Sequence, residues 1–270
     1  MMINIKMKKR FIFSFLLFVF ACTNDLLAAP NKRPEVIKTK TSKIDVLKVL
    51  NNSSDSYFIK LNKLRKNKQT TLATLVSIYN DESISFQNRW MSLMYYARIA
   101  GKKRSFNQLN KALYDRQWFI RSASAKAFGY MKHEKAVPTL INALDDKSLV
   151  VRTSVVDALG QIGSKTAIKP LIKALYSSNN FYKGKSLWVR EHIVKALMDI
   201  GDPLTINSLI SLLDDTDPKV VQMSLKALTK ITGRNYSGTL LAKNIESWKT
   251  WQKDSGKFEK SNVSISINHK

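Results

Sequence analysis

Residues 145–175 read DDKSLVVRTSVVDALGQIGSKTAIKPLIKAL, and this stretch decides the fold. Val155, Val156, Leu159 and Ile162 fall at helical spacing and make one apolar stripe. Gly163 ends that helix, because glycine takes the left-handed conformation that a helix terminus often needs. Ala167, Ile168, Leu171, Ile172 and Leu175 make a second stripe. Asp145 and Asp146 stand before the first helix, where carboxylates can cap free N–H groups. Two helices of this length cannot bury both stripes by themselves, so the unit requires neighbours of its own kind.

Those neighbours are present. Arg152, Ala158 and Ile162 recur one unit earlier as Arg121, Ala127 and Met131. One unit later they recur as Arg190, Ala196 and Ile200, and then as Val221, Ala227 and Ile231. A weaker copy begins at Arg89, with Tyr95 and Ile99. The second helices align as SFNQLNKAL (105–113), AVPTLINAL (136–144), AIKPLIKAL (167–175) and TINSLISLL (205–213). Leu113, Leu144, Leu175 and Leu213 are separated by 31, 31 and 38 residues. Self-similarity at such a period marks a solenoid, in which each unit touches only its neighbours.

The units resemble HEAT repeats, of the short bacterial kind also seen in phycobilin lyases. The residues that carry the resemblance are Val151, Arg152, Val156, Ala158, Leu159, Gly160, Ile162 and Gly163. It covers 115–233 well and 45–113 weakly. It implies an all-α fold, an α-solenoid of about five to six HEAT-type helix pairs. For function it is less specific, since a fold does not fix an activity. HEAT arrays serve mostly as scaffolds and binding surfaces, and some members attach chromophores as lyases or isomerases.

The chain divides accordingly. Residues 1–28 read as a secretory signal: a basic head at Lys6, Lys8, Lys9 and Arg10, an apolar run Phe11–Cys22, and small residues near Ala28. Cys22, the only cysteine, stands in Val-Phe-Ala-Cys, which resembles a bacterial lipobox; it is either lipidated or discarded with the signal. Residues 29–43 read as a disordered basic linker. Residues 44–252 form the solenoid, with divergent first repeats at 44–113, regular repeats at 114–233 and a capping helix at 240–252. Ile245, Trp248 and Trp251 share one side of that helix. Residues 253–270 read as a flexible tail.

The chain carries 45 basic and 20 acidic residues, a net of +25. Without residues 1–28 the balance is 41 against 19, or +22. A field of this size favours anionic partners, while a general lysine bias of the genome explains it equally well. Arg121, Arg152 and Arg190 lie near the starts of first helices and admit two readings. Either they form a ladder pairing with aspartates or carbonyls of adjacent repeats, or they form an anion-binding row with Trp118 and Trp188 beside them. The longer spacing before Leu213 falls mainly in SSNNFYKGK (177–185), where Phe181 and Tyr182 are candidates for partner contact or mark a neutral excursion.

Familiar catalytic and metal-ligating patterns do not occur. His133, His192 and His269 are not near a second histidine or the cysteine at ligand spacing, and no GxSxG, HExxH or P-loop is found. The sequence therefore predicts a non-enzymatic scaffold of the bacterial envelope that binds another protein, exported to the periplasm or held by lipid. It predicts no cofactor, no metal and no catalytic residue. The alternative is a binder of anionic lipid or polymer, with nucleic acid disfavoured by the signal.

Overall fold

A computed structural model of the chain describes residues 41–236 and 241–267, the last 12 of these (256–267) by backbone alone. The expected signal at 1–28, Cys22, and residues 29–40 of the expected linker lie outside the described residues. The fold is all-α, a series of HEAT-type helix pairs as the sequence predicts, and it divides into two compact units at Ser105/Phe106.

In the first unit, helices α1 (Lys43–Asn51), α2 (Tyr57–Arg65) and α3 (Lys68–Asn80) pack on one another. Ser42 opens α1 with a reciprocal cap: its hydroxyl accepts from the Asp45 N–H while the Asp45 carboxylate accepts from the Ser42 N–H. The Arg89 Nε–H donates to the Tyr79 carbonyl at 2.9 Å. Helix α4 (Phe86–Ala112) runs across the division between the units and breaks at Gly101, whose φ of 78° is closed to ordinary side chains.

In the second unit the first helices of successive repeats are α5 (Trp118–Tyr130), α7 (Leu149–Ile162), α9 (Val189–Ile200) and α11 (Pro218–Thr232). They pack in that order, α5 on α7, α7 on α9 and α9 on α11. The second helices are short: α6 (Val137–Asn142), α8 (Ile168–Leu175) and α10 (Ile206–Ser211), each entered through a single tight turn. The apolar stripes are the core, with Val155, Val156 and Leu159 of α7 and Leu171 and Leu175 of α8 fully enclosed. That burial is the main favourable term in holding the pairs together.

Small residues set the helix spacing. A Cβ built on Gly129 would stand 2.8 Å from the Ala158 Cα, and one on Gly160 would stand 2.9 Å from the Ala196 Cα. Both are closer than real carbon atoms approach, so α5, α7 and α9 touch backbone to backbone at these points. Ala127, Ala158, Ala196 and Ala227 are all buried, as their recurrence suggests. Gly163, Gly201 and Gly233 end their helices in the left-handed region. In the α5 repeat Lys132 fills the equivalent role at φ 46°.

The chain's last helix, α12 (Leu241–Ile267), is longer than the expected cap at 240–252, so residues 253–267 are helical rather than a loose tail. Burial anchors the helix at Trp248, which is 1% exposed, and no proline follows to interrupt it. It docks on α10, where the Gln252 amide donates to the Asn207 Oδ1 at 2.9 Å.

Two outcomes follow from this packing. Gly160→Ala should destabilise by about 1–3 kcal/mol although alanine is the better helix former, because the added carbon meets backbone. Lys132→Gly should raise stability, by up to about 1–2 kcal/mol, by relieving a left-handed lysine. Urea unfolding of the two variants against the parent chain checks both.

Candidate functional site

The arginines predicted as site residues occupy the interior. Arg121, Arg152 and Arg190 are all buried, Arg190 to 2% exposure. The Arg121 guanidinium donates to both oxygens of Asp146 at 2.6 and 2.7 Å and to the Asp115 carbonyl at 2.9 Å. That of Arg190 donates to both oxygens of Asp215 at 3.0 and 2.5 Å and to the Leu175 carbonyl at 2.9 Å. Each fork therefore reaches back to a carbonyl before its own helix and forward to a carboxylate of the next repeat, in the bidentate geometry that suits guanidinium.

Arg152 lacks that forward carboxylate, because the longer connection intervenes. Its Nε–H donates to the Asn180 Oδ1 at 2.8 Å and another N–H to the Asn179 carbonyl. The insertion thus supplies a neutral acceptor in place of the aspartate. Burial pushes the Arg152 guanidinium down from its ordinary value, with Asp146 and Asp145 opposing that. A short hairpin follows, β1 (Phe181–Tyr182) and β2 (Lys185–Ser186), turning through Lys183 and Gly184, both at positive φ. The Arg190 guanidinium lies over the Phe181 ring at 4.6 Å, whereas Tyr182 is 65% exposed. Phe181 and Tyr182 are therefore separated in role by the hairpin's alternation.

A second cluster lies on the outward side of α5, α7 and α9. Thr153 and Asp157 are one turn apart on α7; Trp188 and His192 are one turn apart at the start of α9. The Trp188 indole N–H donates to the Thr153 Oγ1 at 2.9 Å, and that hydroxyl donates to the Leu149 carbonyl at 2.9 Å. The His192 Nδ1 stands 2.7 Å from the Asp157 Oδ1. An ionised carboxylate only accepts, so Nδ1 carries the proton and the neutral ring keeps a lone pair on Nε2. Trp188 is 45% exposed and His192 is partly exposed.

Lys126 of α5 faces the same carboxylate: burial pushes its ammonium down, and the Asp157 charge partly offsets the shift. Trp118 at the head of α5 is 38% exposed. The arrangement offers a partly exposed indole and an imidazole oriented by a carboxylate. It can hold a planar molecule and exchange a proton with it. Asp157, His192, Thr153 and Lys126 were not singled out by the sequence; their one signal is that Thr153/Asp157 and Trp188/His192 share the same one-turn spacing. Among the described residues no group of three or more histidine, cysteine or carboxylate side chains could hold a metal, and no helix is long and apolar enough to cross a membrane.

Residues 106–183 match the profile of HEAT repeats. These residues are HEAT repeats. The chain also resembles the bilin biosynthesis protein PecE of Nostoc sp. (strain PCC 7120 / SAG 25.82 / UTEX 2576), at 40% identity over 81 residues, 27% of this chain and 32% of the relative. PecE of Mastigocladus laminosus is 38% identical over 77 residues, 26% of this chain and 29% of the relative. The chain thus spans about a third of the length of the curated relatives it matches. Two solved structures are similar at 19% identity: human deoxyhypusine hydroxylase with glycerol (TM-score 0.43, 71% of this chain and 74% of that one) and the complex of CpcE and CpcF of phycocyanin lyase from Nostoc sp. PCC7120 (TM-score 0.41, 76% and 82%).

The relatives overturn the functional expectation. The repeats, the signal and the missing catalytic motifs predict a non-enzymatic envelope scaffold, and the basic charge predicts the alternative, a binder of anionic polymer. Part of the chain instead matches proteins of bilin biosynthesis, so the expectations of no enzymatic role, an envelope partner protein and no small molecule are corrected together. The physical reason is that motif absence is uninformative here: an oriented imidazole needs only cross-helix contact, not a sequence signature.

The ladder makes a pH prediction. Burial pushes the Asp215 carboxyl up, but the Arg190 fork and the Asp217 N–H outweigh it and hold it below the usual range. A carboxyl depressed in the folded state contributes stability that is present above its unfolded value, near about 3.9, and lost as pH falls through the folded one. The melting temperature should fall on acidification below about pH 4. Asp215→Ala, which strands a buried guanidinium, should cost about 3–5 kcal/mol at neutral pH and show less of that acid loss. Thermal melts across pH check both.

Proposed function

We propose that this chain is a bilin-handling HEAT-repeat protein, which binds an open-chain tetrapyrrole against Trp188 and His192 and exchanges a proton with it. The observation that carries the reading is the 40% identity over 81 residues to a bilin biosynthesis protein. The local geometry suits it. A pyrrole ring can lie on the exposed Trp188 indole while its nitrogen or carbonyl meets the His192 Nε2, one helical turn away. Asp157 holds that imidazole in one orientation and leaves its Nε2 to meet the pigment. The net charge of +25 would draw the carboxylates of such a pigment.

Biliverdin added to the purified chain tests this. A saturable 1:1 change in the visible spectrum is expected, weakened at least ten-fold, or about 1.4 kcal/mol, by Trp188→Ala and by His192→Ala with circular dichroism unchanged. No spectral change at tens of micromolar biliverdin would sink the reading.

We propose export as well, on the support of the basic head and apolar run at 6–22. The mass of the recovered N-terminus checks it. A chain beginning near residue 29, or at a lipidated Cys22, is expected; one that keeps Met1 rules it out.

A further inference from the structure

An aromatic platform binds a flat ring best when it is already held in place. An exposed tryptophan ordinarily turns about its side-chain torsions, because water can meet its N–H in any of them. Trp188 is 45% exposed, yet it is fixed at both backbone and ring. On one side the Leu187 N–H donates to the Asn180 carbonyl at 3.0 Å, which closes the inserted connection onto the residue before it. On the other side Val189 and Arg190 are enclosed in the core. The backbone at Trp188 is therefore held from both directions, and the orientation of the ring remains to be set.

Thr153 sets it. The Trp188 Nε1–H donates to the Thr153 Oγ1 at 2.9 Å across the contact of α7 with α9. The same hydroxyl gives its own proton to the Leu149 carbonyl at 2.9 Å, so it meets the indole only as an acceptor. Donor and acceptor roles are thus fixed along both bonds. With its N–H turned toward α7, the indole meets a ligand by its ring alone, and hydrogen bonding to the pigment falls to the His192 Nε2 one turn along α9. Asp157 orients that imidazole at 2.7 Å. One turn of α7, Thr153 to Asp157, therefore holds both pigment-facing side chains of α9.

We infer that Thr153 is a positioning residue for the pigment, acting through the Trp188 ring. The inference rests on the bilin reading and adds to it the group that orients the platform. The test uses Thr153→Val, which keeps the shape and removes the hydroxyl, and Thr153→Ser, which restores it. Each is made in the full chain and again beside Trp188→Ala. Biliverdin titration gives the affinity and the circular dichroism induced in the visible band. The mobility of the Trp188 indole N–H is read by NMR without pigment, its resonance assigned from its absence in Trp188→Ala. Prior ordering of one side chain is at stake, so Thr153→Val should weaken biliverdin roughly two- to ten-fold, diminish the induced dichroism and loosen the indole. Thr153→Ser should keep all three at the parent level. Beside Trp188→Ala, Thr153→Val should change nothing, because the ring through which it acts is gone. A parent chain that leaves the biliverdin spectrum unchanged removes the bilin reading and this role with it. Where the parent binds, an affinity that Thr153→Val does not lower, an indole it does not loosen, or a loss that persists in full without Trp188 overturns the role of Thr153 alone.

Discussion

A buried guanidinium at the start of three successive repeats, those of α5, α7 and α9, is the constraint on which the rest of the second unit depends. An arginine cannot shed its charge, so enclosing it demands acceptors on every side of the fork. Arg121 and Arg190 find them in a carbonyl behind and a carboxylate one repeat ahead. A repeat without its successor would leave that charge buried and unmet. The ladder thus couples each unit to the next more strictly than apolar contact, which tolerates sliding.

The connection at 177–185 shows how firm that demand is. It lengthens the spacing to 38 residues and removes the carboxylate that Arg152 would otherwise meet. Asn180 and the Asn179 carbonyl take its place, and the hairpin that follows lays Phe181 over Arg190. An excursion of polar residues is therefore built into two successive rungs, while the Tyr182 ring faces water.

Close helix approach at Gly129/Ala158 and Gly160/Ala196 then determines which outward side chains can meet. With α7 and α9 in backbone contact, Thr153 reaches Trp188 and Asp157 reaches His192 as parallel rungs. An imidazole fixed by a carboxylate beside an exposed indole gives a HEAT pair something beyond surface. The bilin biosynthesis relatives are matched over about a third of their length.

The repeat period, the apolar stripes, the glycine stops, the small residues at the helix contacts and the tryptophan cap were all legible in the sequence. Each is a local or periodic property, and helical spacing converts it directly into a buried face. The arginines could be read two ways because position in a repeat does not say whether a side chain turns inward or out. Residues 253–267 were read as loose because composition does not show that a helix anchored at Trp248 can propagate through them. The pairing of His192 with Asp157 was beyond the sequence for a firmer reason. The two are 35 residues apart across an inserted loop, and their meeting depends on interhelix distance and rotation. Those are set by side-chain packing, which the tertiary structure alone decides.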